Sequence, residues 1–99
     1  MLVHTVLFWL KNDLTPAQKN LFHEKLQDLK KIESCHAVYI GKPATTEKRP
    51  VIDCSYSAAL TVLFKSVVEH DQYQVHPLHD AFLKNCKKLW EKVQIYDAE

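Results

Sequence analysis

The sequence predicts an α+β fold, a ferredoxin-like β-α-β-β-α-α-β protomer built on a four-stranded antiparallel sheet. Three observations carry this. Two helix starts are written out in capping residues, at Thr15-Pro16-Ala17-Gln18 and at Ser66-Val67-Val68-Glu69. A long alternating stretch runs from Asp53 to Phe64. Pro77 then divides the second helical region in two, because it suits a first helical position and drives His76 out of the α region. At 99 residues the chain is a single domain, 1–99, with a modest core.

Val3 to Leu10 is rich in β-branched and aromatic residues and reads as the first strand. Val3, Leu7 and Trp9 fall on one face, and Val6, Phe8 and Leu10 on the other with His4 as the polar exception. Thr15 caps the first helix, which runs to about Lys31 with Leu21, Phe22, Leu26 and Leu29 as its apolar stripe. Ala37 to Gly41 is the second strand, and the polar, proline-containing stretch from Lys42 to Pro50 is a loop. Asp53 to Phe64 is a long third strand, with Cys54, Tyr56, Ala58, Leu60, Val62 and Phe64 sharing one face.

Ser66 opens a short second helix that stops before His76. Pro77 opens a third, with Leu78, Phe82, Cys86, Leu89 and Val93 as one stripe. Val93 to Tyr96 is the fourth strand. Helices cover only one face of such a sheet, yet the first strand is apolar on both. A second copy of the sheet is the economical cover, so a homodimer is expected.

Composition narrows the function. Lys and Arg number 13 against 12 Asp and Glu, for a net charge of +1. So balanced a chain lacks the basic footprint of nucleic-acid or membrane-surface binding, and Lys30-Lys31 and Lys87-Lys88 read as solvated helix faces. Val6 to Leu10 is too short for a signal peptide or a membrane span. Cys35, Cys54 and Cys86 form an odd, scattered set, read as reduced, mostly buried thiols in a cytoplasmic protein. Gly41 is the only glycine, so no glycine-rich phosphate or dinucleotide loop can be built. No cofactor is expected.

The chemistry concentrates in Tyr73-Gln74-Val75-His76-Pro77-Leu78-His79. A hydroxyl and two imidazoles gathered at a helix break can hold a polar ligand or move a proton, or can simply pin an elbow. His76 reads as a structural residue that caps or bridges. Tyr39, Tyr56, Trp9 and Trp90 are spaced as core or sheet-face aromatics, some of which can line a pocket. His23 and His70 are expected on solvated helix faces. His76-x-x-His79 has ligand-like spacing, but neither a cysteine pair nor an H-E-x-x-H accompanies it, so no metal is expected.

His4 with Val6-Leu7-Phe8, Gly41 closing a strand, Tyr73-x-x-His76-Pro77-x-His79-x-x-Phe82, and the segment from Trp90 to Asp97 together resemble the stress-responsive α/β-barrel (Dabb) domain family, within the dimeric α+β barrel superfamily. The resemblance spans essentially the whole chain. It implies a dimeric α/β barrel in which two sheets face each other. Many members have no assigned reaction, while a plant branch consists of cofactor-free polyketide cyclases. By that resemblance His79 would be the catalytic base, Tyr73 its partner on a substrate oxygen, and His4 a supporting pocket residue. His4, Tyr56 and His76 make up the candidate ligand-binding set. Three functions are therefore in view. One is a dimeric barrel that binds a small apolar or aromatic molecule. Another is a cofactor-independent cyclase, isomerase or monooxygenase-like enzyme. The third is a structural, stress-linked oligomer.

Overall fold

A computed structural model describes residues 1–99. The elements follow the predicted order: β1 (Leu2–Leu10), α1 (Pro16–Asp28), β2 (Ala37–Gly41), β3 (Ala58–Phe64), α2 (Val67–Gln74), α3 (Pro77–Cys86) and β4 (Trp90–Ala98). A 3₁₀ turn at Leu29–Lys31 extends α1, and another at Lys87–Leu89 links α3 to β4. The strands form one sheet in the order β2-β3-β1-β4, with every pairing antiparallel. This is the ferredoxin-like α+β architecture. No helix is long and apolar enough to cross a membrane.

The starts of the helices follow their sequence signals. Thr15 accepts a hydrogen bond from the Gln18 amide, and the Gln18 side chain accepts one from the Thr15 amide at 2.8 Å, closing the capping box. Ser66 caps α2 by accepting from the Val68 amide, while the Glu69 carboxylate takes the Ser66 hydroxyl rather than a backbone N–H.

Two boundaries differ from the sequence reading. The third strand begins at Ala58, not Asp53. The Asp53 carboxylate accepts from both the amide and the hydroxyl of Ser55. Ser55 accepts from the Trp9 indole at 3.0 Å, and the Ser57 hydroxyl accepts from the Leu10 amide at 2.9 Å. Short polar side chains thus supply bonds that a regular ladder would otherwise make. The α3 stripe likewise ends early. Leu89 lies in the 3₁₀ turn, and Val93 belongs to β4, which is longer than the four residues expected.

Alternate residues of β1 and β3 face the helices and are buried, namely Leu2, His4, Val6 and Phe8 with Ala58, Leu60, Val62 and Phe64. Against them pack Phe22 and Leu26 of α1, Tyr73 of α2, and Phe82 and Cys86 of α3. The rings of Phe8, Phe22, Phe82 and Trp90 form the centre of the core, with centroids 5.1–5.9 Å apart. The opposite face of the sheet carries no helix. Val3, Thr5, Leu7 and Trp9 are only half-buried there, and Tyr39 and Tyr96 are 64% and 61% exposed.

All three cysteines are free thiols. Cys54 is exposed rather than buried, because it precedes the true start of β3. Phe22 is fully enclosed by this aromatic centre. Phe22→Ala should therefore cost about 3–5 kcal/mol of unfolding free energy in urea denaturation.

Candidate functional site

The site is created by the break between α2 and α3. The His76 Nδ1 accepts from the Leu78 amide at 3.0 Å, so His76 is the N-cap of α3. Its own amide donates to the Tyr73 carbonyl at 3.2 Å, closing the last turn of α2. Its Nε2 lies 3.4 Å from the Glu33 carboxylate. Pro77 needs no hydrogen-bond partner at the first helical position. These bonds hold Tyr73, at the end of α2, against His79, in the first turn of α3, with ring centroids 4.8 Å apart and planes at 65°.

Tyr73 and His79 both line a cavity of about 330 Å³ between the helices and the β1–β4 side of the sheet. His4, Val6 and Phe8 form its sheet wall, Phe82 and Leu83 its α3 wall, and Trp90, Val93 and Ile95 its β4 edge. Gln74 and Lys87 are the other polar residues lining it. The cavity is thus mostly apolar with a few polar groups, the usual make-up of a small-molecule site.

His4, Tyr73 and His79 therefore come together, and the other two candidates do not. His76 is engaged in capping and does not line the cavity. Tyr56 precedes β3, where strand alternation no longer applies, and packs against Trp9 with centroids 6.4 Å apart. His70, expected in solvent, instead stands edge-on to Phe64 and 5.1 Å from the His4 ring. An eight-residue helix is too short for its inner face to be read from periodicity.

The electrostatics separate the two central residues. Burial keeps the His79 imidazole below the usual histidine range, and His4 adds to the effect, while Asp80 opposes it and His70 contributes a little more. Burial thus favours the neutral imidazole. Its Nδ1 is fully buried without a protein partner, which costs about 1–3 kcal/mol. Burial, with a smaller contribution from Cys35, raises Tyr73 well above the usual tyrosine range, so its hydroxyl stays protonated. His4 Nδ1 lies 2.5 Å from the Asp97 carboxylate, which β4 places directly opposite it. Burial, and then the nearby Glu33, push the Cys35 thiol up to about 11, and burial does the same to Cys86. Neither is poised as a nucleophile.

The family model for the stress responsive A/B barrel domain matches residues 2–99. The chain belongs to this family. Olivetolic acid cyclase of Cannabis sativa is 30% identical over 95 residues, covering 95% of this chain and 91% of the cyclase. Among solved structures, a hydroxynitrile lyase from Passiflora edulis superposes with a TM-score of 0.79 at 19% identity, covering 98% of this chain and 90% of the lyase. A dimeric ferredoxin-like protein from Thermobifida fusca gives 0.77, also at 19% identity, covering 98% and 88%. At such identities the two structures speak to the fold alone. In this member of the family, the apolar cavity and its Tyr73–His79 pair form the candidate site.

The lowered His79 value has a consequence for stability. Below the ordinary histidine value of about 6.5, the unfolded chain takes up this proton before the folded one does. Stability should therefore fall as pH drops from about 6.5 towards the folded value. Urea midpoints compared between about pH 7 and pH 5.5 should fall less for His79→Asn than for the native protein.

Proposed function

We propose that this protein is a dimeric barrel domain that binds a small apolar or aromatic carbonyl compound between sheet and helices, and that His79 moves a proton at the carbon beside the carbonyl. The reading rests on one observation: a largely apolar cavity lined by His79 and Tyr73, whose rings pack edge to face at its wall. The neutral imidazole removes a proton from the carbon acid, and its lone pair becomes the new N–H bond. The C–H electron pair moves into the enolate. The Tyr73 hydroxyl donates to the oxygen, where negative charge develops. The imidazolium then returns the proton to the product or to a leaving group. His4, held on Asp97, supports the wall beside them. The cyclase relative lends support in kind, since its name describes a reaction of a small molecule.

A probe of this chemistry is α-proton exchange of acetophenone in D₂O, followed by NMR. The native protein should accelerate exchange over buffer. His79→Asn should remove about 10²–10⁴-fold of that acceleration. Tyr73→Phe should cost about 0.5–1.5 kcal/mol of barrier, the worth of one hydrogen bond. Saturable binding of acetophenone with no acceleration would leave a binding protein without this chemistry. A site that neither binds nor exchanges the probe would favour the structural, stress-linked role.

Dimerisation is supported by the helix-free face of the sheet, where β2, β3, β1 and β4 line up Tyr39, Thr61, Thr5 and Tyr96 in one row. The Thermobifida fusca neighbour, itself described as dimeric, agrees with that reading. A stable interface there should bury about 1,200–2,000 Å² in total. Sedimentation equilibrium should give a dimer at micromolar concentration, and Thr61→Arg should shift it to monomer. A folded monomer in the native protein would overturn the dimer.

A further inference from the structure

Centred on His4, in the sheet wall of the cavity, lies a cluster none of whose members takes or gives the proton in that reading. His4 of β1, His70 of α2 and Asp97 of β4 each offer one donor atom, and the three atoms lie within 4.8 Å of one another. They come from three different elements, so the fold itself brings them together. We propose that His4, His70 and Asp97 form a binding site for one divalent transition metal ion of the zinc type.

The donor set suits that ion. Two imidazoles and one carboxylate are the ligand types zinc takes, and three protein ligands leave a position open for water or another group. The remaining nitrogen chemistry is also in place. Asp71 holds the His70 Nδ1 at 3.1 Å, and the Nε2 has only the Gln74 amide, at 3.4 Å. A carboxylate on the second nitrogen is the usual support for a ligating histidine, because it fixes the ring and raises its basicity.

Burial is graded from inside to outside. The His4 side chain is 3% exposed, that of His70 18% and that of Asp97 46%. An ion can therefore reach the site past Asp97 and be held by the buried imidazole. Zinc–ligand bonds of about 2.0–2.1 Å at tetrahedral angles place ligand atoms about 3.3 Å apart. The His4–Asp97 separation of 2.5 Å would have to open slightly, which an exposed carboxylate near the end of an edge strand can accommodate. Because His4 also lines the cavity, loading the site would change that wall.

Calorimetric titration of the full chain with zinc chloride tests this, with Co²⁺ uptake read in parallel by visible absorption. One ion per chain is expected, with micromolar or tighter affinity and the intense Co²⁺ band of a four-coordinate site. His70→Ala and Asp97→Asn should each lower zinc affinity by more than the roughly 10–100-fold that a supporting partner contributes, with the circular dichroism of the folded protein retained. Absence of uptake overturns the site. So does uptake unchanged in either variant, which would assign the ion to the other histidines, His23, His36, His76 and His79.

Discussion

Everything at the candidate site depends on one backbone constraint, the break between α2 and α3 at His76-Pro77. Proline cannot continue α2, and the residue before it is driven to an extended conformation. His76 takes that conformation, with φ −68° and ψ 142°, and makes it stable by accepting the Leu78 amide. The two helices then meet at an angle that no continuous helix would give. Tyr73 and His79, six positions apart, end up ring to ring. In an unbroken helix a six-residue offset lies far round the helix from its starting residue. The motif is thus chiefly a device for changing direction, and the chemistry is placed by that change.

A second constraint is the mismatch between the helical layer and the sheet. The helices cover β3 and β1 closely, but β4 is a nine-residue edge strand. Val93 and Ile95 on its helix-facing side are 38% and 48% exposed, and both line the cavity. α3 ends at Cys86 and passes into the Lys87–Leu89 3₁₀ turn, and the space lies between α3 and β4. Filling it with larger side chains would remove the open space beside His79.

Much of the fold was legible in the residues themselves. Thr15 and Gln18 make both bonds of the capping box, Gly41 ends β2, and the alternation from Ala58 to Phe64 is that of the observed strand. What was not legible depended on long-range geometry or on local competition. Ser55 and Ser57 look like alternating strand residues, but their hydroxyls serve as hydrogen-bond acceptors beside β1. Tyr56 therefore lost the face assigned to it. Of the site, Tyr73, His79 and His4 could be named from the motif and its family resemblance. The contact of His4 with Asp97 spans 93 positions and exists only through the β1–β4 register. His70 was misassigned because a two-turn helix gives too few apolar positions to fix its inner face.

Proton transfer by His79 requires a neutral imidazole at the cavity wall with a ring nitrogen able to take a proton. Nitrogen-detected NMR of the histidine-labelled protein measures this directly, by following the His79 ring through a pH titration. A ring that is neutral at pH 7 and titrates below the ordinary value of about 6.5 is expected. A His79 that titrates at or above that value, or is already protonated at pH 7, would contradict it.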